Sequence, residues 1–130
     1  MDFALPYTPE QEAFRGEVRS WLGENIPEEM KNPVDGRKFS KEHYLFWRGM
    51  HQRLAAKGWL FPTFPKEYGG GGGNQLTQYL VEEEFVRAGL PIGGGAGSGA
   101  GAILAAGTEE QKAYYVPKVI SGEVSFALGF

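Results

Sequence analysis

Apolar and polar positions recur with a helical period through most of this chain. Phe14, Val18, Trp21 and Leu22 fall three or four residues apart and make one apolar face. Local signals bound that face. Thr8-Pro9-Glu10-Gln11 reads as a capping box with proline at the first helical position, and Asn25-Ile26-Pro27 predicts the stop. Residues 28–39 carry two charged clusters with Pro33 and Gly36 and read as a loop. Ser40 is a candidate N-cap for a second helix whose buried stripe is Phe46 or Trp47, Met50 and Leu54, with Gly58 as its C-terminal cap. Asn74 caps a third, with Leu76, Tyr79, Leu80 and Val86 as its apolar positions and Gly89-Leu90-Pro91 as its stop.

Between these helices the pattern breaks. Trp59 to Pro65 is apolar but interrupted by prolines, which predicts an extended connection, and Gly69 to Gly73 predicts a flexible loop. Residues 92–106 are nearly all small. Glycine disfavours a helix by up to ~1 kcal/mol per residue relative to alanine. The length of the run and its Ile103-Leu104-Ala105-Ala106 ending favour a helix packed against close neighbours. Thr108-Glu109-Glu110-Gln111 is a second capping box and opens a last helix to Val119. A Ser121-Gly122-Glu123 turn then leads into a strand-like run, Phe126 to Phe130. The expected fold is all-α, with up to five helices, ending at an incipient strand.

Composition narrows the chemistry. The chain has 130 residues, a net charge of −3 and no cysteine. One domain at most is expected. Disulfides, thiolate nucleophiles and cysteine-bound metals are excluded, and no basic run points to nucleic acid. Nothing approaches the ~20 apolar residues of a membrane span. The start, Met1-Asp2-Phe3-Ala4-Leu5, lacks the positive and apolar regions of a signal peptide, so a soluble cytoplasmic protein is the expectation.

The outlier is glycine, at 20 residues. Gly95-Ala96-Gly97-Ser98-Gly99-Ala100 matches G-x-G-x-x-G/A, a dinucleotide-binding pattern that works only between a strand and a helix. Here a helix end and a turn precede it, and no acidic residue follows about twenty positions on in a second strand. A small-residue helix that permits close approach is the favoured reading. No Gly-Lys-Ser/Thr follows, which excludes a P-loop. His43 and His51 are too far apart for a helical metal pair. Glu82-Glu83-Glu84 could supply a general base; the spacing favours a solvated face, with Glu83 and Arg87 paired at i, i+4. Trp47, Trp59, Phe61 and Phe64 read as packing residues. On these grounds alone the function stays open.

Taken together, several short motifs resemble the amino-terminal helical domain of the acyl-CoA dehydrogenase family, in the family's order and over almost the whole chain. They are Thr8-Pro9-Glu10-Gln11 with Phe14-Arg15 and Val18-Arg19; Leu54 through Gly58-Trp59; Pro65-Lys66-Glu67-Tyr68-Gly69-Gly70; Glu82-Glu83 with Arg87-Ala88-Gly89; and Gly107-Thr108-Glu109-Glu110-Gln111-Lys112 with Pro117 and Ser121-Gly122-Glu123. The resemblance implies a subunit of three parts: a helical domain, a β-sheet domain, and a four-helix bundle, with FAD between the last two. It implies α,β-dehydrogenation of an acyl-CoA thioester, in which a carboxylate takes the α proton and flavin the β hydride. Electrons then leave to an electron-transfer flavoprotein. Residues 1–125 would be the helical domain and 126–130 the start of the sheet domain. Leu128 and Phe130 would touch the flavin, and Pro91, Gly94, Gly95 and Ser98 would face the acyl pocket. No residue here matches the catalytic base, and no metal ligand is implied, so the chain alone is expected to be inactive. A homo-oligomer is expected. Two rival readings are a stand-alone helical interaction module and a relative of the same fold, an acyl-CoA oxidase or a flavin monooxygenase.

Overall fold

The structure, a computed structural model, describes residues 6–90, 95–126 and 129, with backbone alone for residues 95–98. It holds five helices: α1 (Pro9–Asn25), α2 (Lys41–Ala56), α3 (Gln75–Arg87), α4 (Gly95–Ala106) and α5 (Glu109–Ile120). Among the described residues there is no β-strand. The all-α expectation therefore holds. Phe126 and Gly129 have no regular structure, and Ala127, Leu128 and Phe130 of the strand-like run lie outside the described residues. A strand needs a ladder partner, and no described segment supplies one.

Each helix start follows from its capping chemistry. The Thr8 and Thr108 hydroxyls accept from the backbone N–H of Gln11 and Gln111, and each glutamine side chain accepts from its threonine N–H in return. Ser40 caps α2 in the same reciprocal way, but with His43, whose Nδ1 accepts from the Ser40 N–H. Asn74 caps α3 by accepting from Thr77 N–H. Two helix ends are equally local. Gly58, at φ +74°, closes α2, with its N–H on Ala55 and the Trp59 N–H on Leu54. Gly89 and Leu90 close α3 by the same pair of bonds, to Val86 and Phe85.

The core gathers Val18, Leu22 and Ile26 from α1 and its end, Met50 and Leu54 from α2 with Trp59 after it, and Val81, Phe85 and Leu90 around α3. Phe14, Trp21, Phe46 and Trp47 pack at its edge. The stripe on α3 differs from the one its apolar residues suggest. Leu80, Val81, Glu84 and Phe85 are buried, while Leu76, Tyr79 and Val86 are exposed. The reason is Glu84. The run 82–84 is not a uniformly solvated face: Glu84 is 1% exposed and Arg15 of α1 is 5% exposed. Arg19 grips Glu84 with a two-pronged fork, Nε to Oε2 at 2.9 Å and Nη2 to Oε1 at 2.8 Å. Arg15 Nε donates to Oε1 at 3.1 Å. Arg15 also reaches Glu12 and Glu83, and Glu83 holds Arg87 at 3.1 Å, the expected i, i+4 pair. Tyr7 lies under the Arg15 guanidinium and donates to Glu83, and its burial and that bond push its phenol up to about 12.

Residues 59–73 also depart from expectation. They are neither extended nor a flexible linker. The segment folds on itself through turns and a 3-10 turn (Lys66–Tyr68), with Gly71 N–H on Phe61 and Gly73 N–H on Pro62. A Cβ on Gly71 would lie 2.5 Å from the Gly58 carbonyl oxygen, and one on Gly70 would overlap the Phe64 carbonyl. These glycines are spacers that let two backbone stretches touch.

α4 packs on α5, and α5 packs on the turn at 66–68. Val116, Val119, Ile120 and Ala100 are buried there. The small-residue run is therefore a helix with close neighbours, as its ending predicts. Gly99 has the Phe126 ring where a Cβ would be, 2.6 Å away.

Three outcomes are expected. Glu84→Ala removes the buried carboxylate that Arg15 and Arg19 share, leaves Arg15 only Glu12 and Glu83, and costs about 3 kcal/mol, read by urea unfolding; an effect under ~1 kcal/mol would refute the role given to the pair. The fork from Arg19 and the charges of Arg19 and Arg15 hold the Glu84 carboxyl below its ordinary 4.5. A depressed folded value means this stabilisation is complete above 4.5 and is lost as pH falls through the lower folded value. Acid unfolding of Glu84→Gln should therefore begin from a lower plateau and show a shallower loss. Tyr44, Leu45, Leu76, Tyr79, Val86 and Tyr114 leave large apolar surface exposed, so the isolated chain should self-associate in sedimentation. A compact monomer with a sharp melt would contradict this.

Candidate functional site

Of the residues assigned to a site from sequence, Pro91, Gly94, Leu128 and Phe130 lie outside the described residues. Gly95 and Ser98 begin α4. Along α4 the register Gly95, Ser98, Ala102, Ala105 (steps of three, four and three) keeps to one face. Ala102 and Ala105 are exposed, whereas Ala100 is fully buried. α4 thus has a packed side and an open side, and Gly95 and Ser98 share the register of the open one.

Gly99 belongs to the packed margin, because Phe126 rests on it. Phe126 also meets Tyr115 of α5, at 6.1 Å between ring centres. The segment after α5 is drawn back over the helix pair. Val124 N–H donates to Lys118 O at 3.1 Å, and Lys118 pairs with Glu123 at 3.7 Å. The G-x-G-x-x-G/A match sits wholly inside α4, not in a loop between a strand and a helix as a dinucleotide fingerprint requires.

A groove of about 670 Å³ runs between the end of α1 and the end of α3. Leu22, Ile26 and Ala88 line it, with Arg19, Lys31 and Arg87 at its sides. Those three cations are already paired, with Glu84, Glu28 and Glu83. Glu84, the one buried carboxylate of the 82–84 run, is held ionised by two arginines and is a structural anion rather than a proton acceptor. Among the described residues no cluster of histidine and carboxylate side chains could hold a metal ion, and no helix is long and apolar enough to cross a membrane.

Phe126, Glu84 and His51 are the residues whose positions the sequence pattern did not reveal. Glu84 could have been suspected from its i, i+4 relation to the buried Leu80 and from two arginines on α1 one turn apart. Phe126 and His51 carry no such signal, because their partners lie far along the chain.

Comparison with known proteins matches this arrangement. The family model described as "Acyl-CoA dehydrogenase, N-terminal domain" matches residues 8–123. Acyl-CoA dehydrogenase FadE26 of Mycobacterium tuberculosis is 31% identical over 127 residues, covering 97% of this chain and 32% of that protein. Mitochondrial isovaleryl-CoA dehydrogenase of Pongo abelii is 34% identical over 123 residues, 92% of this chain and 28% of that one. Among solved structures, the ChsE4-ChsE5 complex of M. tuberculosis superposes with a TM-score of 0.73 at 32% identity, over 94% of this chain and 30% of that one. A protein described as "Tcur3481-Tcur3483 steroid ACAD" gives 0.70 at 30% identity, over 96% and 32%. The chain therefore spans about a third of the length of these relatives.

Proposed function

The chain belongs to the acyl-CoA dehydrogenase family, and on that premise we propose that it is the helical part of an FAD-dependent enzyme that removes hydrogen from the α and β carbons of an acyl-CoA. The observation that carries this reading is the family match over residues 8–123, joined to about 30% identity across nearly the whole chain. In this reading residues 1–125 are the helical domain and 126–130 begin the sheet domain.

The described residues do not make a dinucleotide cradle. The glycine-rich run is helical, and the space left by Gly99 is filled by Phe126. FAD is accordingly assigned to Leu128 and Phe130, the two positions that the family resemblance puts against the flavin, together with the further length that the relatives carry. When bound, flavin supplies the acceptor for the β hydride. Electrons pass on to an electron-transfer flavoprotein. One solved relative is described as a complex, ChsE4-ChsE5, and another carries a paired designation, Tcur3481-Tcur3483; both support an assembly of subunits, like or unlike, over a lone subunit.

The part played by this chain is to wall the acyl pocket. Pro91, Gly94, Gly95 and Ser98 are the proposed lining, at and before the open side of α4. Three of the four have almost no side chain, so the pocket they bound is wide. A bulky, branched or ring-bearing acyl group suits it better than a short straight one, and a relative described as a steroid acyl-CoA dehydrogenase supports that choice.

Two measurements test the reading. The isolated chain should purify colourless and bind FAD weakly; stoichiometric yellow flavin on these 130 residues would overturn the division of labour. In a protein with the remaining domains, Gly95→Leu should lower the rate with the bulkiest substrates about 10–200-fold while sparing small ones, since pockets discriminate by volume. Equal loss across all chain lengths, with reduced stability, would show that Gly95 serves helix packing alone.

A further inference from the structure

His51 of α2 stands against the end of α5. Its Nε2 lies 3.0 Å from the Ile120 carbonyl oxygen, 69 residues along the chain. A carbonyl only accepts, so Nε2 carries the proton and donates. The Ile120 carbonyl is among the last of α5, where no further helical N–H follows to satisfy it. Gly122 follows at φ +79°, and a Cβ there would lie 2.7 Å from the His51 ring. The imidazole therefore rests on the bare face of Gly122 while bonding the carbonyl two residues earlier. Phe61, from the folded segment 59–73, flanks the ring at 6.2 Å, and the Ile120 side chain comes within 3.7 Å of the Cβ position of Gly69.

These contacts are notable for where they sit. α1 packs on α3, and α4 packs on α5; the link between the two groups runs through the 66–68 turn and His51. Directly beyond lie the Val124–Lys118 bond and the Phe126–Gly99 contact, which aim the chain as it leaves α5.

We propose that His51 is a positioning residue: its bond to Ile120 and its seat on Gly122 fix the direction of residues 121–126, the segment that leads to Leu128 and Phe130, and so support the FAD binding assigned to those two residues above. The last step rests on the function proposed above; the first does not.

Amide hydrogen exchange on this chain tests the first step. In His51→Ala the Gly122 and Val124 amides, now bonded to Val119 and Lys118, should exchange about tenfold faster. The Ile26 and Leu90 amides of the α1–α3 core should keep their rates. His51→Gln, whose amide can donate to the same carbonyl, should restore protection, and His51→Phe, which fills the space without donating, should not. Unchanged exchange at Gly122 and Val124, or an equal rise at Ile26 and Leu90, would overturn the proposal. In a protein with the flavin-binding domains, His51→Ala and His51→Phe should weaken FAD binding and His51→Gln should retain it. Parent-like FAD affinity in all three, with flavin still bound, would overturn the step to the cofactor and leave the family reading standing.

Discussion

The ion pair between α1 and α3 is the constraint around which the helical core is arranged. A carboxylate that is 1% exposed and a guanidinium that is 5% exposed are tolerated only together. Either one alone in that setting carries a desolvation cost that its remaining partners, Glu12 and Glu83 for Arg15 and Arg19 for Glu84, offset only in part. Arg15 and Arg19 stand one turn apart on α1, so both reach the same point on α3. That geometry sets the rotation of α3 about its axis. With Glu84 turned inward, Leu80, Val81 and Phe85 follow it into the core, and Leu76, Tyr79 and Val86 are carried outward. The apolar surface left on α3 is thus a consequence of the buried pair and is the surface on which further packing can occur.

Glycine does two unlike things in the chain. At Gly70 and Gly71 it removes side chains so that the backbone of residues 58–64 can lie against residues 70–73, which turns a proline-broken segment into a compact bracket beside α5. At Gly99 it makes a seat for an aromatic ring arriving from beyond α5. In each case the vacated volume is occupied by this chain itself. The open register of α4, with Gly95 and Ser98 at its start, is different: its exposed members face no other part of the described chain. That contrast separates glycines that serve packing from small residues placed where a substrate wall is proposed.

The bracket, the end of α5 and the α4 face form one connected path. The 66–68 turn packs on α5, Gly69 and His51 meet its end, and Phe126 returns from that end to α4. The position of the proposed pocket wall relative to the exit segment is therefore governed by the Phe126 seat on Gly99, beside Ser98, and by the contacts of His51 at the α5 terminus. Under the proposed function, the exit segment at 121–126 and the open face of α4 are both referred to the same small cluster at the α5 terminus.

Much of this was legible from short-range chemistry. Capping boxes at Thr8 and Thr108, the Asn74 cap, and the glycine ends at Gly58 and Gly89 act over two to five residues, so the helix boundaries can be read from the letters alone. The family motifs, taken in order, also carried the fold class. The burial of Glu84 was only hinted at by its spacing from Leu80 and by the two α1 arginines, because the same letters suit a solvated face until Arg15 and Arg19 arrive from 65–69 residues away. The glycine run at 69–73 looked like a flexible linker, since sequence shows that a side chain is missing but not what fills its place. His51 and Phe126 have no periodic signature for the same reason: each is defined by a partner on another helix. Sequence determined where the helices begin, where they end and to which family they belong. Tertiary packing alone decided which polar groups go inside and which absent side chains become contacts, because desolvation and close approach depend on neighbours that are remote in the chain.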